Sequence, residues 1–550
     1  PRGEKGMSPQ QEFPAVLSSS RSTAWLFGLL AGGGALAVVL YAVTVVAAGD
    51  FNADFTDTLL WAQASLDSGK LFSPEFYYAT AMPFGGQWLM LPFLPLFGAG
   101  MATQTIGMVL FALLLALAVA VLGRQALGYS PLWTGVLTAA ALLGVSGSLK
   151  MRELYWGHII YYSLGSLFLA VGLTLAVKAL AAAEESASSR RTILSMAGVC
   201  LWTFLCSLNG MQSLLAFAAP LLAALVLERY LDTSRPLGDM RDPHWRTTGM
   251  IATASLAGML AGTLLTMHIP TSYANYYSSL SGPDNWMENL LKLPRDWLTL
   301  LGYAPKKDTR LMSAEGVINL LRFPGAVAFT LAPAILLALL GRIRDRGVRL
   351  LTLAHAMMTA VIVFAYIFGQ ISNVNWRLSP LVFTAALTTA ALARLLWQDA
   401  KLRRFALLVL LPLALYLLVA AAQIVGTPPD YRQQNLYYRI AGYLEDQGLD
   451  RGYATFWNAS SVSVQSDGEV RAAPILIDGG NLRPYRYQSN LEWYKNQASR
   501  DTWFLLLSDA EYRALTAQAA DLLKKATRTL TAPDSYRVLV FSENFINPDG

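Results

Sequence analysis

The chain has 550 residues, of which 54% are hydrophobic and only 14% are charged. A soluble domain usually carries about a quarter charged residues, so this balance indicates a polytopic α-helical membrane protein. The net charge of +6 does not indicate a nucleic-acid-binding protein, because the basic residues lie mainly beside apolar segments, where membrane topology accounts for them.

Apolar runs along the chain predict about eleven transmembrane helices, since a helix needs about 20 apolar residues to cross a bilayer. Residues 1–6, which precede Met7, look like a cloning remnant and carry no prediction. The transmembrane module is therefore predicted at 7–426, and its fifth and sixth spans are the shortest. The predicted spans are 24–48, 100–123, 131–148, 158–180, 193–208, 213–229, 249–268, 323–341, 351–369, 379–396 and 405–426.

The distribution of lysine and arginine predicts the orientation of these spans. One set of loops is rich in arginine, as in "GRIRDRGVR" at 341–349, whereas the opposite short loops carry few basic residues. By the positive-inside rule the arginine-rich loops and the N-terminus are cytoplasmic in this multi-pass cell-membrane protein, and everything after Gly426 is external. The predicted external loops are the first, 49–99, the second, 149–157, the fourth, 269–322, and the fifth, 370–378; the third is only the short turn between the spans 193–208 and 213–229.

The first external loop contains "ADFTDTLLWAQASLDSGKLFSP", predicted as a juxtamembrane helix that starts near Ala53 and lies along the membrane surface. Asp54 and Asp57 share a face at the start of that helix. As an N-cap, Asp54 has a structural role that lowers its pKa; alternatively, its carboxylate acts as a general base. The apolar stripe of the helix comprises Phe55, Leu59, Ala62 and Leu66.

This stretch resembles the first external loop of GT-C-fold membrane glycosyltransferases, which include protein O-mannosyltransferases and aminoarabinose transferases. In that loop an acidic pair opens a juxtamembrane helix, and a "SG-aromatic-x-x-P" exit follows about fifteen residues later. Here Asp54 precedes "SGKLFSP", but Phe55 replaces the second acidic residue, so Asp57 or Asp50 shares its role. The resemblance implies a GT-C fold with Asp54 as catalytic base, and its residue-level match covers about 25 residues.

The second external loop, "SLKMRELYWGHIIYYSLG", places charged and aromatic residues at the outer ends of two spans. Glu153 is predicted to join Asp54 at the acceptor, or Arg152 and His158 to bind a phosphate; the alternative is contact with lipid headgroups. Arg377, in the fifth external loop, is predicted to bind a lipid phosphate bidentately or to snorkel to the interface.

The fourth external loop, 269–322, contains "DNWMENLLKLPRDWLTLLG", which predicts amphipathic helices with Trp286 and Trp297 at the interface. Lys306 and Lys307 in that loop offer a second phosphate site, or are simply solvated. Residues predicted to bind the acceptor or the sugar are Asp50, Trp88, Tyr155, Asn209 and Gln212.

After the linker "GTPPDYRQQ", residues 427–550 are predicted to form an external α/β domain with a core of its own. Helices are predicted at 431–447 and at about 509–526, and "YRVLVFSEN" is predicted as the closing strand. The other predicted strands are "YATFWNA", "SVSVQS", "APILID" and "TWFLLLS".

Together these features predict an inverting glycosyltransferase of the cell envelope that works at the external membrane face. Its partners are a sugar donor linked to a polyprenyl monophosphate, a glycan, lipid or protein acceptor, and the bilayer. No cofactor is predicted with certainty, and a divalent metal stays open because the spacing of the carboxylates specifies none. The alternatives are a transporter or flippase of a lipid-linked sugar, and a non-catalytic envelope scaffold.

Overall fold

The computed structural model shows a helical bundle joined to a C-terminal α/β domain. Asp50, Lys306 and Lys307, which the sequence singled out, lie outside the residues that it describes. The described residues are 25–45, 51–78, 86–184, 189–231, 243–269, 280–305, 308–369, 374–429, 432–478, 480–495 and 502–547.

By length and composition, 8 helices in the described ranges can cross a membrane, or up to 9 if a bent pair counts as one span. The predicted count of about eleven is not confirmed. The helices Ser189–Ser207 and Ala219–Tyr230 occupy the short fifth and sixth predicted spans without meeting those criteria. The spans are Trp25–Thr44, Met101–Ala126, Tyr161–Ala182, Trp245–Thr266, Ala314–Ala338, Arg346–Phe368, Asn375–Gln398 and Arg403–Gly426.

The candidate site is positioned by helices of the bundle, numbered α1 to α10 in chain order. The first, α1, is Gly33–Thr44, and the helix predicted to carry the base, α2, is Asp57–Ser68. The others are α3 (Met101–Val121), α4 (Pro131–Gly144), α5 (Tyr161–Glu184), α6 (Pro283–Leu300), α7 (Ala314–Ala338), α8 (Arg346–Phe368), α9 (Ser379–Gln398) and α10 (Arg403–Gly426).

The predicted span 131–148 is not a straight helix. Helix α4 ends at Gly144, and the following helical segment, Leu149–Gly157, is bent away from it by 108°. Gly147 lies at the turn, where a Cβ atom would be 1.8 Å from the Tyr416 hydroxyl, so any side chain there would clash with α10. The turn directs residues 149–157 across the end of the bundle, which we call the site end.

The C-terminal domain is built on a six-stranded mixed sheet. Its strand order is β4-β3-β2-β6-β8-β7, with β2 parallel to both β3 and β6 and the other pairs antiparallel. Strands β1 and β5 form a separate two-stranded sheet. The strands are β1 (Phe76–Tyr77), β2 (Arg451–Thr455), β3 (Arg471–Asp478), β4 (Asn481–Pro484), β5 (Ser489–Asn490), β6 (Trp503–Leu507), β7 (Arg528–Thr531) and β8 (Arg537–Phe541).

Helices cover both faces of this sheet. Phe504 and Leu506 point to one apolar cluster and Leu505 to the other, as the alternation of a strand requires. The prediction of a strand at "SVSVQS" is wrong, because Phe456–Gln465 is a helix that connects the parallel strands β2 and β3. The domain's helices are α11 (Leu436–Asp446), α12 (Phe456–Gln465), α13 (Asp509–Gln518) and the short Ala520–Lys524.

The C-terminal domain is attached to the loop that follows α1. Strands β1 and β5 pair antiparallel, with Phe76 opposite Asn490, and the Leu491 amide donates to the Glu75 carbonyl at 2.8 Å. The Trp61 indole donates to Gln488 Oε1 at 2.5 Å. Helix α2 is therefore enclosed between the domain and the bundle. That it lies along the membrane surface stays a prediction.

The amphipathic helix predicted in the fourth loop is present as α6 and packs against α8. Asn289 donates to the Ile367 carbonyl at 3.0 Å, and the Tyr366 hydroxyl donates to Asp296 at 2.6 Å. Trp297 donates its indole N–H to Thr330 of α7 at 2.8 Å. These polar contacts hold α6 against the site end of the bundle.

Candidate functional site

Asp54 lies in a 3₁₀ turn, Ala53–Thr56, immediately before α2. Asn52 caps this turn, because its side chain accepts a hydrogen bond from the Asp54 amide at 3.1 Å. The N-cap interpretation of Asp54 is therefore wrong, and its half-buried carboxylate is left for other contacts.

The turn that carries Asp54 is joined to the 149–158 segment by a glutamine from α3. Gln104 donates to the carbonyl oxygens of Phe55, at 2.8 Å, and Gly157, at 3.4 Å. The Phe55 ring stacks on His158 with 4.9 Å between centroids. Gly157 makes this approach possible, since a Cβ there would lie 2.1 Å from the Phe55 ring.

His158 is hydrogen-bonded to the backbone of the turn that carries Asp54. Its Nδ1 lies 3.1 Å from the Asp54 carbonyl, an acceptor only, so Nδ1 carries the proton and donates it. Burial lowers the pKa of His158, and this outweighs the hydrogen bond to that carbonyl and the negative charge of Asp54, which raise it. The imidazole thus fixes the position of the Asp54 backbone.

Three charged neighbours act on the Asp54 carboxylate. Burial raises the pKa of Asp54, which the positive charges of His158 and Lys150 partly oppose and the negative charge of Glu153 reinforces. Lys150 is ion-paired with Glu153 at 2.6 Å. The result is a carboxylate that binds a proton more readily than an exposed aspartate, opposite to the lowering expected from an N-cap.

Asp57, one turn further along, is the more strongly perturbed of the two aspartates. Burial raises its pKa well above the ordinary value, and the negative charge of Asp54 raises it further, while hydrogen bonding to Gln488 acts in the other direction. No group in the described ranges reaches Asp57 Oδ1 within hydrogen-bond distance. Both carboxyls therefore bind a proton more readily than an exposed aspartate, and the effect is stronger for Asp57.

We expect Asp57→Asn to raise the melting temperature at pH 8, with the difference shrinking as the pH falls toward 5. A carboxyl whose pKa is raised by folding stabilises the native state below its unfolded pKa, and that contribution is lost as the pH rises through the folded pKa. The amide removes this loss. Thermal unfolding of the purified protein across this pH range measures it.

The control is Asp67→Asn, which makes the same charge change at an exposed position of α2. It should shift the melting temperature little and equally at both pH values. A pH-independent difference between Asp57→Asn and the unmodified protein would contradict the raised pKa.

Lys150 also contacts the segment that contains Arg377. The Lys150 ammonium sits over the Trp376 ring, 4.7 Å from its centroid, and Trp376 immediately precedes Arg377. Arg377 lines a cavity of about 120 Å³ together with Tyr162 and Gln212. Lys150 thus contacts both Glu153 and the tryptophan that precedes the predicted phosphate-binding arginine.

The structure therefore brings several predicted site residues together and places others elsewhere. Tyr155 is fully buried with its hydroxyl 2.7 Å from Ser166, and Asn209 is buried with its amide donating to the Leu205 carbonyl. Trp88 lies on an apolar groove along α3 and α5. The Arg152 guanidinium points away from the carboxylates, toward α10. Asp54, Asp57, Glu153 and His158 lie close together, whereas Arg377 and Gln212 line the cavity beside Tyr162.

The sequence did not reveal two residues that organise this site. Gln104 occupies an otherwise apolar span, and a buried amide inside a span is a signal that was available. Gln488 lies far along the chain, and nothing in its local sequence indicates contact with α2. Within the described ranges no group of three or more His, Cys, Asp or Glu residues is arranged to hold a metal ion.

No protein-family profile matches the sequence, and neither does any curated protein. Among solved structures, ArnT from Cupriavidus metallidurans bound to undecaprenyl phosphate aligns with a TM-score of 0.53 and 12% identity, over 93% of this chain and 98% of that one. The same protein in the apo state gives a TM-score of 0.52 and 14% identity, over 95% and 98%. The apo oligosaccharyltransferase of Archaeoglobus fulgidus has a TM-score of 0.47 and 12% identity, over 91% and 72%.

ArnT is an aminoarabinose transferase and has the GT-C architecture of membrane glycosyltransferases. The alignment with it extends over the bundle and the C-terminal domain, at an identity that shows shared architecture and no more. This confirms the fold predicted from the first loop and the helical pattern: the chain is a GT-C-fold membrane protein.

Proposed function

We propose that the protein is an inverting glycosyltransferase that moves a sugar from a polyprenyl monophosphate to a hydroxyl of a cell-envelope acceptor. The observation that carries the proposal is the environment of Asp54. Its half-buried carboxylate has a raised pKa, lies beside Lys150 and His158, and stands at the site end of a GT-C bundle. A general base works best when its pKa approaches the working pH, which this environment promotes.

In the proposed reaction the acceptor hydroxyl gives its proton to Asp54 while its oxygen attacks the anomeric carbon of the donor. The bond from that carbon to the phosphate oxygen breaks, and the polyprenyl phosphate leaves with the electron pair. Attack from the face opposite the leaving group inverts the anomeric configuration. The raised pKa of Asp57 favours its protonated form, which limits the negative charge near Asp54 and leaves that carboxylate available as the base.

We propose that Lys150 and Arg377 stabilise the departing phosphate. Lys150 lies among the charges that act on Asp54, and Arg377 follows the tryptophan that Lys150 contacts. Fixed positive charges near a developing phosphate charge lower the barrier most effectively in a site that excludes water. The undecaprenyl phosphate bound to the structurally similar ArnT supports a polyprenyl-phosphate donor for this chain.

We further propose that the reaction takes place on the external side of the membrane. Arg346 and Arg349 pair with Glu228 at the end of α8 that begins the helix, whereas the other end of α8 leads to Gly369 and Arg377. The arginine-rich end is cytoplasmic under the positive-inside rule, so the site end and the C-terminal domain are external.

The test uses the full-length protein in detergent with a series of synthetic polyprenyl-phosphate sugars. Glycan, lipid and peptide acceptors are supplied separately, and polyprenyl phosphate and product are quantified by mass spectrometry. We expect acceptor-dependent release of polyprenyl monophosphate and a product of inverted configuration by NMR.

Reconstituted vesicles test the side of the reaction. Donor and acceptor added on the side of the C-terminal domain should react, as located by protease cleavage of that domain. Retained configuration or use of nucleotide sugars would overturn the proposed chemistry. Movement of the lipid-linked sugar across the bilayer without any transfer would favour the flippase alternative.

A further inference from the structure

Two buried arginines from different parts of the chain share one hydrogen-bond acceptor at the site end. Arg152, from the segment after the bend, is 8% exposed, and Arg322, from α7, is 6% exposed. Arg152 Nη1 lies 3.4 Å from Gln423 Oε1 of α10, and Arg322 Nη2 also donates to that oxygen. The two guanidinium groups are therefore close neighbours.

Every acceptor that the described residues offer this pair is electrically neutral. Arg152 donates to the Ser146 carbonyl and Arg322 to the Gly302 carbonyl, each at 3.0 Å. No carboxylate in the described ranges lies within ion-pairing distance of either guanidinium. The Nε atoms of both arginines are buried and have no hydrogen-bond partner in the same ranges.

Half-buried arginines elsewhere in this bundle have acidic partners. Arg346 and Arg349 both pair with Glu228, at 3.1 and 3.6 Å, and Arg394 pairs with Asp345 at 3.4 Å. A buried charge is costly unless an opposite charge compensates it, and two like charges side by side add repulsion to that cost. An anion bound beside Gln423 would therefore supply the negative charge that compensates both guanidinium groups.

We propose that Arg152, Arg322 and Gln423 form a binding site for a phosphate monoester or diester anion. Two planar guanidinium groups match phosphate oxygens in charge and geometry, and the Gln423 side chain can turn its amide toward the anion. The Tyr41 ring of α1 closes one side, with its centroid 5.7 Å from the Arg152 guanidinium. The phosphate comes from a lipid headgroup or from free phosphate.

This site is separate from the one proposed for the donor. The charges that act on Asp54 are those of His158, Lys150 and Glu153, and Arg152 is not among them. Arg152 and Glu153 are adjacent in a helical segment, where neighbouring side chains point in different directions. The proposal therefore goes beyond glycosyl transfer and stands or falls without it.

The test measures thermal unfolding of the delipidated full-length protein in maltoside detergent. Separate samples receive inorganic phosphate, chloride at equal ionic strength, phosphatidylglycerol, or a phosphate-free galactolipid. We expect phosphate or phosphatidylglycerol to raise the melting temperature by at least about 2 °C over its matched control. A response to both indicates free access for phosphate, and a response to phosphatidylglycerol alone indicates a lipid headgroup.

Gln423→Glu is the most informative variant, because it supplies the missing negative charge from within the protein. It should melt at a higher temperature than the unmodified protein without ligand and lose the response to phosphate. Arg152→Gln should also lose the response. The matched control, Arg513→Gln, removes an exposed arginine of the C-terminal domain and should keep the full response.

Two outcomes would overturn the proposal. One is an unmodified protein whose melting temperature responds to neither phosphate nor phosphatidylglycerol beyond the controls. The other is a Gln423→Glu variant that folds and responds as strongly as the unmodified protein.

Discussion

Replacing Asp54 by asparagine should lower the turnover number of sugar transfer by about 10²–10⁴-fold, the usual contribution of a general base. The amide cannot accept the acceptor's proton, yet it fits the same space beside Lys150 and His158. Because binding of the donor does not depend on this proton transfer, KM for the polyprenyl-phosphate sugar should change little. Steady-state kinetics with the donor and acceptor found for the unmodified protein measure both quantities.

The pH dependence of the same reaction gives a second readout of Asp54. The carboxylate must be unprotonated to act as base, so the rate falls as the pH drops through the pKa of Asp54. Burial raises that pKa, so this fall should occur above the range of an ordinary aspartate. Asp67→Asn, the exposed control on α2, should retain full activity, and normal turnover by Asp54→Asn would remove Asp54 as the base.

Gly157→Ala should lower transfer by roughly 10²-fold, although residue 157 carries no reactive group. The new Cβ would lie 2.1 Å from the Phe55 ring, which must shift. Phe55 is adjacent to Asp54 and stacks on His158, so the shift displaces the base and its support together. Overpacking of this kind also costs about 1–3 kcal/mol of stability. Kinetics and thermal unfolding of the same preparation measure the two effects.

A second substitution separates the clash from other effects of Gly157→Ala. Adding Phe55→Leu removes the ring that the new Cβ meets, so the double variant should be more stable than the single variant. Gly249→Ala is the control, because it adds a Cβ inside a helix with nothing within 4 Å. Unchanged activity and stability of Gly157→Ala would show that the Phe55–His158 stack does not hold the base.

The long spans were predictable because hydropathy alone identifies a continuous apolar helix. The bend after Gly144 was not predictable from hydropathy, since residues 131–148 are mostly apolar. The close contact between Gly147 and Tyr416 at the bend is a tertiary one. That contact joins parts of the chain that no local pattern relates. The predicted count of about eleven spans is not confirmed, because apolar runs do not distinguish straight helices from bent or shorter ones.

In the C-terminal domain, "SVSVQS" alternates as a strand does, yet it forms the end of a helix. Six residues of small and β-branched side chains fit either periodicity. The decision comes from topology, because β2 and β3 are parallel neighbours and the chain must cross from one end of the sheet to the other.

At the site, the sequence located the aspartates but assigned the wrong electrostatics to Asp54. A position at the helix N-cap would lower the pKa of Asp54. The cap is instead Asn52, and burial raises the pKa of Asp54. Burial of α2 depends on the C-terminal domain, which begins hundreds of residues later. The neutral surroundings of Arg152 and Arg322 were likewise invisible in the sequence, because α7 and α10 supply them.

The attachment of the C-terminal domain to the first loop has a consequence for biosynthesis. Trp61 and its partner Gln488 are 427 positions apart. Strand β1 likewise pairs with a strand, β5, that is synthesised hundreds of residues later. During synthesis the bundle helices enter the membrane one after another, before the C-terminal domain that packs on α2 has been made. The environment that raises the pKa values of Asp54 and Asp57 is therefore completed only near the end of translation, so a prematurely terminated chain lacks a finished site.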